Sequence, residues 1–352
     1  MESQGSAIHL ATAEADQAPF AGFGALRRAA AQIARQAELV RIDGRALPDY
    51  AVGLAEEERR ERETSLEAGI WFAGSRDGAA AFALVADCIN FGSGYFPSLK
   101  KDRSNSGYKT MAAGLASFFE ANWPFAPSFL ERLGPRTMLG ILGQGEDASP
   151  EARELADMMA AALSELGVHL RTAFDDSFEA FLTRYRANTS RLVEALYQLD
   201  GYTDGYLWRG IRFQPAKKAQ ITVSDLSLAR RHFARLDGVT AVPEGGLALL
   251  TAFADNSVPQ VLEADGILHY RHDLADLIAS GVELEYGSQA EIEIRACTIT
   301  AVERLCSAAL AATGSTPAPA RIDALLWNRK HDPAREAHYR ARRSHKTRSR
   351  FY

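Results

Sequence analysis

Residues 24–38, Gly24-Ala25-Leu26-Arg27-Arg28-Ala29-Ala30-Ala31-Gln32-Ile33-Ala34-Arg35-Gln36-Ala37-Glu38, place leucine, isoleucine and alanine at helical spacing without an internal breaker. Residues 150–166 do the same with alanine, leucine and methionine, behind a polar turn at 143–150. Working outward from these two stretches, the same spacing predicts helices at 107–122, 177–199, 222–236, 247–254, 271–280 and 298–312. β-prone runs are fewer and short: 68–73, 80–86 and 290–296. The expected fold class is mainly α with a small β component. No repeat stands out at solenoid periods, and 313–320 (Thr-Gly-Ser-Thr-Pro-Ala-Pro-Ala) reads as a linker. Residues 1–20 are expected to form a flexible tail. Residues 21–352 then make either one continuous unit or two lobes divided near 145–150.

Composition bounds the function classes. A chain of 352 residues, 47% hydrophobic, with a mean hydropathy of −0.19, is long enough to bury a large core. No apolar run reaches the roughly 18 to 20 residues of a membrane span, and residues 1–17 lack the basic start and apolar middle of a signal peptide. The three cysteines, Cys88, Cys297 and Cys306, are too few and too irregular for a disulfide framework or a four-cysteine zinc site. A reducing, cytoplasmic setting is expected. The net charge of −5 is uneven: residues 321–352 hold ten Lys/Arg against three acids, which leaves −12 on the rest. Such an end is a solvated tail or a nucleic-acid contact. Trp327, Tyr339, Phe351 and Tyr352 interleave with its charges, and aromatics there predict packing back onto the body.

Several motifs fail. Gly92-Ser93-Gly94 and Gly143-Gln144-Gly145 lack the third glycine of a dinucleotide fingerprint and the Lys-Ser/Thr ending of a phosphate loop. His269 and His272 lie three apart with no third ligand at a recognisable spacing, so no metal is expected. His331, His338 and His345 recur every seven residues without a motif around them. No Gly-x-Ser-x-Gly elbow occurs, and no cysteine has a nucleophile's local pattern.

The most informative acid is Asp255, in Thr251-Ala252-Phe253-Ala254-Asp255-Asn256-Ser257-Val258-Pro259-Gln260-Val261-Leu262. Between an apolar run and a proline-led turn, Asp255 or Asn256 can accept the free N–H groups of a short helix begun by Pro259. Alternatively, Asp255 is a carboxylate held dry beside a substrate. Both can hold at once.

Five ordered segments then carry a resemblance: Ala86-Asp87-Cys88-Ile89-Asn90-Phe91; Lys217-Lys218-Ala219-Gln220-Ile221 with Asp225-Leu226; Phe253-Ala254-Asp255 to Val258-Pro259-Gln260-Val261-Leu262; Glu291-Ile292-Glu293-Ile294-Arg295 with Ala301-Val302-Glu303; and Leu326-Trp327, followed by His345-Lys346-Thr347-Arg348 and Tyr352. Over roughly residues 65–352 the chain resembles the queuosine salvage family, the queuosine 5′-phosphate N-glycosylases/hydrolases. The resemblance implies a fold similar to helix-hairpin-helix DNA glycosylases. It implies hydrolysis of queuosine 5′-monophosphate, and more weakly of queuosine, to queuine without metal or cofactor. Asp255 takes the place of the glycosylase aspartate, and Lys217 or Lys218 that of a catalytic or phosphate-binding lysine. The family usually reads Lys-Arg-Ala-Gln at this point, which favours Lys217. Two departures stand out: Gly92-Ser93-Gly94-Tyr95-Phe96 replaces the family's Cys-Phe-Trp, and Asn256 replaces its tyrosine.

The remaining site residues follow from what the reaction needs. Asp87, Asn90, Gln260, Glu293 and Arg295 are candidates to hydrogen-bond the base, with Phe91 as a stacking face. Each also has a plainer reading: local caps for Asp87 and Asn90, an edge-strand charge pattern for Glu293 and Arg295. Lys217 and Lys218, if extended, point opposite ways, so one faces the phosphate. Arg348 or Lys346 closes over it if the C-terminus returns, with Tyr352 as anchor. The expected partner is a small molecule, neither membrane nor nucleic acid. The rivals are a nucleic-acid-binding module and an inert binder of a modified base.

Overall fold

The computed structural model describes residues 18–60, 66–67, 69–101, 106–238 and 246–352. They fold mainly as helices, with two antiparallel two-stranded pairs. The chain divides into two units, one from Met1–Arg59, Asp204–Pro215 and Thr251–Arg348, the other from Arg60–Thr203, Ala216–Leu250 and Ser349–Tyr352. Residues 145–150 lie inside the second.

The first unit is built on the Gln289–Thr313 helix, buried around most of its circumference, as a helix central to a core must be. The expected strand at 290–296 is therefore corrected. Its Glu-Ile-Glu-Ile alternation mimics period two, but the glutamates are buried and hydrogen-bonded rather than solvent-facing. Ser288 caps the first turn through the Glu291 N–H, and Glu291 reaches back to the Gly287 N–H at 2.7 Å, a close relative of the capping box. Against this helix pack the Phe23–Gln36, Ser257–Ala264 and Pro319–His331 helices. Val40–Ile42 pairs antiparallel with Leu268–Tyr270. Tyr206–Trp208 pairs with Ile211–Phe213 through Arg209-Gly210, both at positive φ as a tight hairpin turn requires. Residues 1–17 of the expected tail lie outside the described residues. The rest of that tail is held: Gln214 bonds both Ala18 and Ala21, and Phe20 is buried edge-on against Phe23.

In the second unit the 24-residue Pro150–Ala173 helix starts at a Ser149 cap with proline in its first turn. The Arg76–Cys88 helix packs on Lys217–Leu236, so the strand expected at 80–86 is helical. No strand forms among the described residues of 68–73. The 107–122 reading matches Gly107–Asn122. Gly114 on that helix is required, because a Cβ there would stand 1.9 Å from the Ile141 carbonyl oxygen. The helix expected at 177–199 is two, Phe178–Tyr185 and Thr189–Tyr197, since Asn188 caps a fresh start by accepting from the Arg191 N–H. The helix expected at 247–254 shrinks to a 3₁₀ turn at Leu247–Leu249, and residues 250–254 beyond it take no regular secondary structure.

Candidate functional site

Asp255 sits where a buried strained residue meets a helix start. Ala254 is fully buried at φ 48°, a left-handed conformation that costs a residue with a Cβ about 1 to 2 kcal/mol. Three residues on, the Ser257–Ala264 helix begins with Pro259 in its first turn. Asp255 Oδ1 accepts from the Ser257 N–H at 2.7 Å and the Val258 N–H at 3.3 Å, so the helix-capping role is real. Asn256 provides no side-chain cap.

What over-determines this corner is Arg295. Its guanidinium, fully buried, donates to the Ala254 carbonyl at 3.1 Å, to the Tyr206 hydroxyl at 2.5 Å and to Asp204 Oδ2 at 2.9 Å. The Tyr206 hydroxyl in turn donates to Glu291 Oε1 at 2.6 Å. A buried guanidinium with two carboxylates and oriented dipoles is the arrangement that makes a buried charge tolerable.

Two basic side chains outside the expected site, Lys330 and His345, also bear on Asp255. Lys330 donates to the hydroxyls of Ser257 at 3.1 Å and Ser344 at 3.0 Å. Burial lowers its pKa while the Asp255 charge opposes that drop. His345 is buried, and desolvation pushes its imidazole down to about 4, again against the pull of Asp255. Asp255 is thus a half-buried carboxylate beside a lysine and a neutral histidine. Such a group can face a developing positive charge or orient a water.

Two other expected residues of this unit support backbone. Gln260 donates to the carbonyls of Tyr339 at 2.8 Å and Arg342 at 2.5 Å and accepts from Ser344, tying down the C-terminal segment. Glu293 Oε2 accepts from the N–H groups of Glu38 and Leu39, and its Oε1 accepts from Gln289. The edge-strand reading of Glu293 and Arg295 is corrected, since both lie on one buried helix. Arg348 pairs with Glu283 at 3.1 Å near the surface.

The second unit gathers Asp87, Asn90, Phe91, Lys217, Lys218 and Tyr352. Lys217 and Lys218 are not extended; they open the Lys217–Leu236 helix, behind Ala216, which is fully buried at φ 49°. In a helix, adjacent side chains diverge by about 100° rather than alternating, and both lysines are buried here. Each reaches the C-terminal end of the Arg76–Cys88 helix: Lys217 Nζ donates to the Asn90 carbonyl at 3.0 Å and Lys218 Nζ to the Cys88 carbonyl at 2.9 Å. Cations belong at that negative end of the dipole. Lys218 also lies over the rings of Phe91 at 4.6 Å and Tyr202 at 5.0 Å. The Gly92 N–H donates to the Tyr352 carbonyl at 3.2 Å, and Tyr352 is buried.

Asp87 is the unusual member. Its Oδ1 takes a long 3.4 Å bond from the Asn90 amide, and its buried Oδ2 has no hydrogen-bond partner among the described residues. Desolvation first, and then the charge of Asp225, hold the Asp87 carboxyl well above the usual carboxylate range, against the opposing pull of Asn90, Lys217 and the Thr222 hydroxyl. Burial pushes Asp225 up to about 7, with Lys217 acting against the rise. Asp225, Lys330 and His345 are the residues that sequence reasoning missed as functional. The signal for Asp225 and His345 was present, since both stand within the segments that carry the resemblance.

No three potential metal ligands cluster among the described residues. His269 faces Asp43 at 3.3 Å, and His272 pairs with Asp276 one turn on.

The queuosine salvage protein family model matches residues 72–352. The chain belongs to the queuosine salvage protein family. A queuosine 5′-phosphate N-glycosylase/hydrolase of Sphaerobacter thermophilus is 31% identical over 327 residues, spanning 91% of this chain and 95% of that relative. Proteins of the same name from Dictyostelium discoideum (28% identical, 64% of this chain and 65% of the relative) and Bos taurus (30% identical, 40% of each) also align. All five segments of the sequence analysis fall inside the family match.

Proposed function

We propose that this chain hydrolyses the N-glycosidic bond of queuosine 5′-monophosphate, and more slowly that of queuosine, releasing queuine without metal or cofactor. What supports the reading is the family match over residues 72–352, together with a carboxylate at Asp255 built on a strained, Arg295-braced backbone. No described helix is long and apolar enough to cross a membrane. The proposed setting is the cytoplasm, and the proposed wider likeness is to helix-hairpin-helix glycosylases.

Cleavage spreads positive charge over C1′ and the ring oxygen of the ribose. Asp255 is the proposed counter-charge. At an effective dielectric near 20, unit charges about 4 Å apart attract by about 4 kcal/mol, a factor of about a thousand in rate. With Oδ1 fixed by two backbone N–H groups, Asp255 does this without reorganising. Lys217 is the proposed second catalytic residue. Asp87, Asn90, Phe91, Lys218 and Tyr352 are the proposed contacts to the substrate. Gln260, Glu293 and Arg295 act one step back, through the backbone that they hold, and Arg348 lies at the edge of the set. Incubating the purified protein with queuosine 5′-monophosphate and separating the products tests the reading. Free queuine and ribose 5-phosphate in equal amounts are expected, and no base above background would remove it.

A further inference from the structure

Asp87 is a buried carboxyl whose Oδ2 meets no hydrogen-bond partner among the described residues, on a helix end packed against the helix that carries Asp225. An ionised carboxylate in that position would carry a desolvation penalty that nothing nearby offsets in full. A protonated one has a hydroxyl to donate. We propose that Asp87 and Asp225 hold one proton between them and deliver it to the base as the glycosidic bond breaks, so that Asp87 is the general acid of the reaction and Asp225 its positioning partner. This rests on the queuosine 5′-monophosphate reading and goes beyond it by assigning the leaving-group proton.

The chemistry demands such a donor. A 7-deazaguanine lacks the N7 that would otherwise be protonated to improve the leaving group. When the C1′–N bond breaks, its electron pair goes to the base. The Asp87 carboxyl supplies a proton to that base, which departs neutral. Water adds its oxygen to C1′, and the proton it loses restores the carboxyl pair, so that one water is consumed and no other co-reactant is needed.

The surroundings favour retention of one proton. Asp225 carries like charge toward Asp87, and the hydroxyls of Tyr108 and Tyr202 are themselves kept neutral by burial. The Cys88 thiol beside them is pushed up to about 12. Lys217 acts on both carboxyls, and its ammonium is bonded to the Asn90 carbonyl. Lys218, one residue on, is turned to the Cys88 carbonyl and the aromatic rings. Two carboxylates sharing a site of this kind cannot both ionise cheaply, which is how acid catalysts are kept protonated near neutral pH.

The test is a pH profile of kcat/KM, run on the nucleotide and on the nucleoside, which has no phosphate to titrate. In the wild type, activity should fall on the alkaline side as the shared proton is lost. Asp87→Asn should lower kcat by roughly 10² to 10⁴, the usual worth of a general acid, and remove the alkaline fall. Asp225→Asn, which deletes the like charge, should move that fall to lower pH. On ribosyl fluoride 5-phosphate, whose fluoride leaves without a proton, Asp87→Asn should lose far less than it does on the nucleotide. A wild-type profile flat from weakly acid to weakly alkaline pH overturns the inference even if no variant folds. So does an Asp87→Asn protein that keeps the alkaline fall or is equally impaired on the fluoride. No base release by the wild type overturns the underlying reading, and the inference with it. Release with the wrong profile overturns the inference alone.

Discussion

The two units treat buried charge in opposite ways. Around Arg295, the charged groups bond one another: the guanidinium donates to Asp204 and to the Tyr206 hydroxyl, which in turn donates to Glu291. Around Asp87, they do not: Oδ2 has no hydrogen-bond partner among the described residues, and the ammonium of Lys217, which acts on both acids, is bonded to a carbonyl. The first arrangement fixes a shape and the second holds a proton. Both follow a buried alanine in the left-handed region, Ala254 before Asp255 and Ala216 before Lys217, so each strained corner delivers one of the residues proposed as catalytic.

The largest expected effect breaks the bonded cluster around Arg295. Arg295→Met strands Asp204 and Glu291 in the core, and removing one partner of a buried pair costs about 3 to 5 kcal/mol. Urea unfolding should report that loss at constant m-value, and a loss under about 1 kcal/mol would mean that the cluster is not the brace described here.

Next come the pH slopes, which should have opposite signs. His345 has a folded pKa near 4, depressed from 6.5. Its contribution is fully present above the unfolded value and is lost as pH falls from about 6.5 through about 4, worth about 3 kcal/mol over the window. His345→Asn should flatten that limb. Asp225 is raised from 3.8 to about 7. Its contribution is present below about 3.8 and is lost as pH rises through about 7, so Asp225→Asn should stabilise the protein above neutrality and do little in acid. Thermal melts of both variants across pH 4 to 9 would expose a shared sign, which the contrast forbids.

The smallest effect concerns what the corners share. Glycine adopts positive φ without steric cost but loses more entropy on folding, so Ala216→Gly and Ala254→Gly should each shift stability by less than about 1 kcal/mol. A large destabilisation at one corner alone would show that the two devices differ.

Much of this was legible in the chain, for local reasons. The helix at 107–122 could be read to the residue, because its spacing is regular and its Ser106 cap is adjacent. Asp255 was legible because an acid just ahead of Ser257-Val258-Pro259 has few other uses. The misreadings came where burial overrides periodicity: Glu291, Glu293 and Arg295 look like one face of a strand, yet their partners lie far along the chain, at Tyr206, Leu39 and Asp204. Lys330 and His345 stand 75 and 90 positions from Asp255 in the numbering, and no local rule connects them to it. Asp225 looks like a polar residue on an amphipathic helix until Asp87 is seen to share its surroundings.

The central claim is that the Asp255 charge, rather than its shape or its cap, lowers the barrier. Asp255→Asn keeps an oxygen able to accept from the Ser257 and Val258 N–H groups. Single-turnover queuine release from queuosine 5′-monophosphate by this variant, at a melting temperature close to that of the wild type, should fall about a thousandfold. Release at the wild-type rate would contradict the account.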